Sequence, residues 1–282
     1  MGRADVGAAQ SLEQARSLYE EVMCRPFDLP SSPASEAGLL GFVFGDLWAR
    51  PGLSRRDRRW VTITCACAAD TVGPIEANIY AALASGDLSF EELQEFVLHF
   101  AVYCGWPKAS FADQVVWQQR ALLASERGEP PPPVRQLEIW NPGMDPEERL
   151  RGGEASFATI NVVPPPGRTS PYTTAGILNF VFGEVWQRPG LSRRDRRFIT
   201  LACVGVDDAV LPIRSHVYSA LKTRDVSHAE MRELVLHFAA YSGWPKASLL
   251  DQVVAESWAH IQAEESEGPE PSEGTEQAGA GP

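Results

Sequence analysis

The sequence predicts an all-α protein: two tandem helical domains, about six helices each, packed as a pseudo-two-fold dimer. Three observations carry this. The run Gly45–Arg59 returns as Gly183–Arg197, an offset of 138 residues that also takes His99 to His237, Tyr103 to Tyr241, Trp106 to Trp244 and Lys108 to Lys246. The offset holds without a gap from Tyr19 and its counterpart Phe157 onward, so one domain is written twice. Apolar residues recur at helical spacing throughout, and strand alternation is absent. A chain of 282 residues holds two such copies, and equivalent copies favour a pair standing in for a homodimer.

The elements follow in order. Residues 1–10 form a flexible arm, and the first domain spans 11–124. Ser11–Met23 places Leu12, Ala15, Leu18, Tyr19 and Val22 on one helical stripe. Three prolines between Arg25 and Ser35 make a loop. Glu36–Trp48 is a second apolar helix, ended by Pro51-Gly52. Ser54, with Asp57 three residues on, caps a third helix over Arg55–Ala69. That helix turns from charged to apolar, so its outer end is expected in solvent and its inner end buried. Pro74 suits the first turn of a fourth, reaching about Ser85. Ser89 and Glu92 form a capping box for a fifth, Phe90–Cys104, closed by Gly105. Pro107 opens a sixth, to about Ala124. Residues 125–146 contain Gly-Glu-Pro-Pro-Pro-Pro and form a stiff linker. The second domain spans 147–262, and residues 263–282 read as an acidic disordered tail.

Net charge is −12, and the six glutamates between Glu264 and Glu276 account for half of it. The folded part is mildly acidic, which argues against a nucleic-acid partner. The basic cluster Arg55-Arg56-Asp57-Arg58-Arg59 and its copy read as interdomain salt bridges or a solvated face, with Asp57 and Asp195 as caps and arginine partners. No apolar run approaches the ~18 residues of a membrane span. The first residues lack an apolar signal core, and the five cysteines (24, 65, 67, 104 and 203) are odd in number and mostly unrepeated. The expected compartment is therefore reducing cytoplasm. No metal-ligand spacing and no phosphate loop is present, so no metal and no cofactor is expected. The expected partner is a small-molecule substrate.

The run Trp-x-Arg-Pro-Gly-Leu-Ser-Arg-Arg-Asp-Arg resembles the carboxymuconolactone decarboxylase family. So do Pro212–Leu221 and Glu233–Ala247, in the same order. The resemblance covers nearly all of each copy. It implies the AhpD-like helical fold, a dimer interface between helices, and assembly into trimers or hexamers. It also implies decarboxylation of a lactone carboxylate without metal or organic cofactor. A sister group, the AhpD-like alkylhydroperoxidases, uses a Cys-x-x-Cys pair ahead of a histidine on the fourth helix. Here Ala209–Pro212 and Thr71–Pro74 hold no cysteine, so that thiol route lacks its residues.

The family's fourth-helix histidine is His216 in the second copy and Asn78 in the first. Only an imidazole exchanges protons near neutrality, so chemistry at this position belongs to the second copy. His216 is expected as proton carrier, Arg214 or Arg188 as carboxylate anchor, and Tyr218 or Tyr241 as hydrogen-bond donor. A histidine buried at a helix contact is the competing reading. His99 with Tyr103, and His237 with Tyr241, share a helix face at i, i+4 and either line a cleft or close polar groups between helices. Trp48, Trp186, Trp106 and Trp244 read as packing residues, or as walls for a planar ligand. A scaffold that kept the fold and lost the chemistry is the alternative function.

Overall fold

The computed structural model describes residues 11–130, Pro133 and residues 143–267. The expected arm, half of the linker and the end of the acidic segment lie outside the described residues. The described residues form twelve helices and no strand. The first half contains α1 (Leu12–Met23), α2 (Ala34–Trp48), α3 (Arg55–Ala68), α4 (Val72–Ser85), α5 (Phe90–Cys104) and α6 (Trp106–Glu126). The second contains α7 (Pro146–Asn161), α8 (Tyr172–Val185), α9 (Arg193–Val206), α10 (Val210–Lys222), α11 (His228–Ser242) and α12 (Trp244–Glu267). No described helix is long and apolar enough to cross a membrane.

Local chemistry sets the boundaries. Ser54, Ser89, Ser192 and Ser227 each complete a capping box with the acid three residues on. Gly105 and Gly243 join the last two helices of each half at φ of 90° and 94°, where a side chain is strained. α2 and α8 are π-helices, the donor reaching five residues back as in Trp186 N–H to Val181 O at 3.0 Å. α7 crosses α8 so closely that a Cβ on Gly153 would lie 1.8 Å from the Leu178 carbonyl oxygen. α12 runs one turn past the expected end of the domain. Glu264, assigned from sequence to the tail, accepts hydrogen bonds from Tyr218 and Lys222 on α10.

One buried cluster runs through both halves, joining Trp60, Phe96 and Phe100 to Phe198 and Phe238. α3 packs on α9, and each of them packs on the other half's α11 or α5. The main ion pairs here have their mates 138 residues away. Arg56 donates to Asp195, and Arg194 to Asp57. Arg50 forms a bidentate pair with Glu233, and Arg188 with Glu95. Two arginines of each basic cluster thus tie the halves together, Arg56 and Arg58 in one and Arg194 and Arg196 in the other, while the remaining two pair within their own half. Burial corrects the expected solvated outer end of the third helix: Arg58 and Arg59 are 1% and 0% exposed, Arg58 held against His237 of the other half and Arg59 against Asp87 and Val22 of its own.

Asp57 and Asp195 each cap their own helix and accept the other half's arginine, but Asp195 also accepts Trp60 Nε1–H at 2.7 Å. The second half has Phe198 where the first has Trp60. Asp195→Asn is therefore expected to destabilise more than Asp57→Asn, by about 1 kcal/mol, the worth of one further buried hydrogen bond. Urea unfolding of the two variants checks this, and equal losses would refute it.

Candidate active site

Two polar chains cross the boundary between halves. Arg196 (α9) donates its Nη1–H to His99 Nδ1 at 3.3 Å and its Nη2–H to the Arg188 carbonyl at 2.8 Å. A guanidinium only donates, so His99 Nδ1 accepts and its Nε2 carries the hydrogen. That hydrogen goes to Thr200 Oγ1 at 2.8 Å. The Thr200 hydroxyl bonds in turn to Tyr103, which also accepts Trp186 Nε1–H at 2.9 Å. The mate runs Arg58, His237, Thr62, Tyr241, with Trp48 donating to Tyr241 at 2.8 Å. Both histidines are fully buried. Desolvation, then the adjacent arginine, holds them well below the ordinary 6.5 and keeps them neutral. Burial pushes the Tyr103 phenol up to about 12.

At the end of one chain lies His216, on α10. Its ring sits 5.7 Å from that of Tyr103, edge to face, and parallel to Trp186 at 6.3 Å. Ile160 and Phe182 continue this aromatic wall. His216 is 7% exposed, and its Nδ1 has no hydrogen-bond partner among the described residues. Desolvation, with help from the Arg197 charge, lowers it to about 3. Arg197 is fully buried and held by Asp225, Ser219 Oγ and the Ile160 carbonyl, its guanidinium carbon 5.5 Å from the Trp186 ring centre. The Ser219 hydroxyl also reaches the His216 carbonyl at 3.3 Å.

The first half closes the same position differently. Asn78 turns its amide back onto the Pro74 carbonyl at 2.9 Å. Ala81 stands where the second half has Ser219, and Arg59 Nη1 is left without a partner.

The structure thus gathers His216, Trp186 and Tyr103, with His99 behind them, and places His237, Tyr241 and Trp48 in the mate chain. It does not bring Arg214 or Tyr218 to His216. Each lies two residues away, about 200° around a helix, and so faces elsewhere. Arg214 is paired with Glu256 at 2.7 Å, and Tyr218 bonds to Glu264. Arg188 is committed to Glu95 and Glu184. Trp244 is 57% exposed and lines a different cavity. Arg197 and Ser219 were missed from sequence, although the Ala81-to-Ser219 difference between copies was visible there. Cys65 is buried and its thiol pushed up to about 12, Cys203 likewise upward, both by desolvation.

The described residues are all-α and tandem, with an imidazole in one copy where the other has an amide. The sequence model of the carboxymuconolactone decarboxylase family matches residues 33–116 and 171–256, more than half of the chain, and the chain belongs to that family. It is 39% identical over 79 residues to a nitrosuccinic acid decarboxylase of Metarhizium robertsii, covering 27% of this chain and 54% of the relative. It is 36% identical over 75 residues to the 4-carboxymuconolactone decarboxylase of Acinetobacter baylyi, covering 26% and 53%. The chain spans about half the length of these curated relatives.

The three buried imidazoles set a pH dependence. Their folded pKa values lie below the unfolded value, so the unfolded chain binds more protons as pH falls. The stability they contribute is complete above 6.5 and is lost below it, for His216 down to about 3. Each is expected to remove up to about 1.4 kcal/mol per pH unit in that window. Urea unfolding between pH 7 and 5 should show the fall, and His99→Gln with His237→Gln should flatten it. A slope unchanged in the double variant would contradict the assignment.

Proposed function

We propose that this chain is a cofactor-independent decarboxylase-like enzyme acting on a small carboxylated, ring-bearing molecule such as a lactone acid, with its working site at His216. The observation that carries the reading is the difference between copies: the imidazole has an unpartnered Nδ1, while its counterpart Asn78 is closed onto its own helix. The two relatives' names support the reaction class, since both are decarboxylases.

The chemistry follows from the surroundings. A carboxylate brought beside His216 opposes the desolvation that keeps the ring neutral, and so raises its pKa and draws a proton from solvent. Loss of carbon dioxide leaves the bonding pair on the substrate, delocalised into a neighbouring carbonyl. The buried Arg197 charge and the Tyr103 O–H stabilise that anion. The Tyr103 oxygen already accepts from Trp186, and we assign its own hydrogen to the substrate. The imidazolium then returns its proton to carbon, so one carboxylate and one proton give product and carbon dioxide. Arg197 takes the place that sequence reasoning gave to Arg214. The first half supplies Tyr103 and His99 and acts as a wall. We read the tandem pair as a covalent stand-in for a homodimer, three of which could assemble, in reducing cytoplasm.

The 7% exposure of His216 favours a second reading, a scaffold in which the ring is packing alone. Carbon dioxide release from a panel of carboxylated lactones and small nitro acids separates the two. His216→Asn is expected to lower kcat by about 10²–10⁴, the usual worth of a general acid–base. Tyr103→Phe should lower it less. Wild-type turnover with no loss in His216→Asn would sink the assignment, and no turnover of any acid would favour the scaffold.

A further inference from the structure

A cavity of about 590 Å³ opens between the halves, away from the His216 site. Arg50 and Gly52, from the turn after α2, form one wall. α11 supplies Arg232, Glu233 and Leu236, and α12 supplies Trp244 and Asp251. Its size is that of a small-molecule pocket, and its lining mixes an aromatic face with a few charged groups. A cleft of about 390 Å³ shares Arg232 and Asp251 and continues along α11 and α12 to Trp258.

The repeat supplies an internal control. Of the twelve residues lining the larger cavity, all but two are identical to their counterparts 138 positions away. The exceptions are Ala229, which replaces Glu91, and Arg232, which replaces Gln94. Both changes move the charge in the same direction, one removing an anion and the other adding a cation. The equivalent positions of the first half are Arg188, Glu91, Glu95 and Asp113, with Arg188 paired to Glu95. In the second, Arg50 and Arg232 balance Glu233 and Asp251. Arg50 is held by Glu233 in a bidentate pair. Arg232 is exposed and makes no hydrogen bond or ion pair with any described residue, though its charge bears on Glu233 and on His228. Trp244, 57% exposed, lines the same cavity, with the Phe42 ring 6.0 Å from its own.

The geometry points to a second ligand site in the second half that takes a ring-bearing monocarboxylate, its carboxylate on Arg232 and its ring on Trp244. Arginine suits this role because its planar fork pairs with both carboxylate oxygens. An indole face and the short apolar wall of Val235, Ala239 and Ala247 take the ring. The first-half counterpart repels the same ligand through Glu91. The site shares no residue with the His216 assembly, so it stands or falls independently of the proposed reaction.

Calorimetric titration of the full chain with 2-naphthoate tests it, with neutral 2-naphthamide as control. The titrations are run in wild type and in His216→Asn, where any binding that depends on His216 is removed. One molecule per chain is expected to remain in His216→Asn. Adding Ala229→Glu and Arg232→Gln should weaken that binding by about tenfold or more, the worth of a charged hydrogen bond. Converting the first half instead, with Glu91→Ala and Gln94→Arg, should raise the stoichiometry from one to two. These positions lie at the surface, and circular dichroism confirms folding of each variant. Absence of binding in His216→Asn, equal binding of the amide, or indifference to both charge swaps would each overturn the site.

Discussion

Much of this structure depends on two arginines buried against the wrong half. Arg58 and Arg196 are almost fully enclosed, and each donates to a histidine that the other half supplies. A buried guanidinium beside an imidazolium would be prohibitive, so the histidine must stay neutral with its acceptor nitrogen toward the arginine. That choice fixes the rest of the chain. Nε2 must donate to threonine, whose hydroxyl also bonds to tyrosine, and indole donates to the same tyrosine. Each half thus dictates the hydrogen-bond polarity of the other, and neither can complete its polar core alone.

The repeat makes the consequences of change visible. Where the frame must hold, the copies agree down to the acceptor: Arg56 with Asp195 and Arg194 with Asp57, Trp48 with Tyr241 and Trp186 with Tyr103. Where they differ, the differences cluster. Asn78 and Ala81 become His216 and Ser219 on one helix, and the same arginine that lacks a partner at Nη1 in the first half finds one in the second. Glu91 and Gln94 become Ala229 and Arg232 on another. A duplicated scaffold permits this, because one copy can carry stability while the other takes on groups that burial disfavours.

The helices and their ends were legible in the sequence because the signals are local: the serine–acid caps, Gly105 and Gly243, and the apolar period. The all-α tandem fold followed from those and from the offset. The site was legible only where the copies differed, which is how His216 stood out. Arg214 and Tyr218 looked like companions through chain proximity, yet two residues along a helix is nearly the opposite face. Arg197 looked like one member of a salt-bridge cluster, since nothing local tells which of four arginines turns inward. Nor could periodicity show that Trp244 is left open beside a cavity while Trp186 is enclosed. These depend on how the halves meet, which no single stretch encodes.

His216 presents the sharpest contrast. An unpartnered buried nitrogen costs on the order of 1–3 kcal/mol. The first half shows that the same helical position has an inexpensive solution, an amide folded onto the Pro74 carbonyl. Packing alone does not explain why the second half forgoes it, because the tryptophan, tyrosine and arginine around the position are matched in both halves. Neither does thiol chemistry, since Cys65 and Cys203 are buried and held as thiols. Beside an aromatic wall, with a fixed cation behind it, the ring stays neutral as long as nothing anionic is near. A carboxylate placed against it would favour the imidazolium instead. That conditional protonation is what the proposed proton carrier requires, and a ring whose nitrogens were both satisfied in the resting fold would not have it.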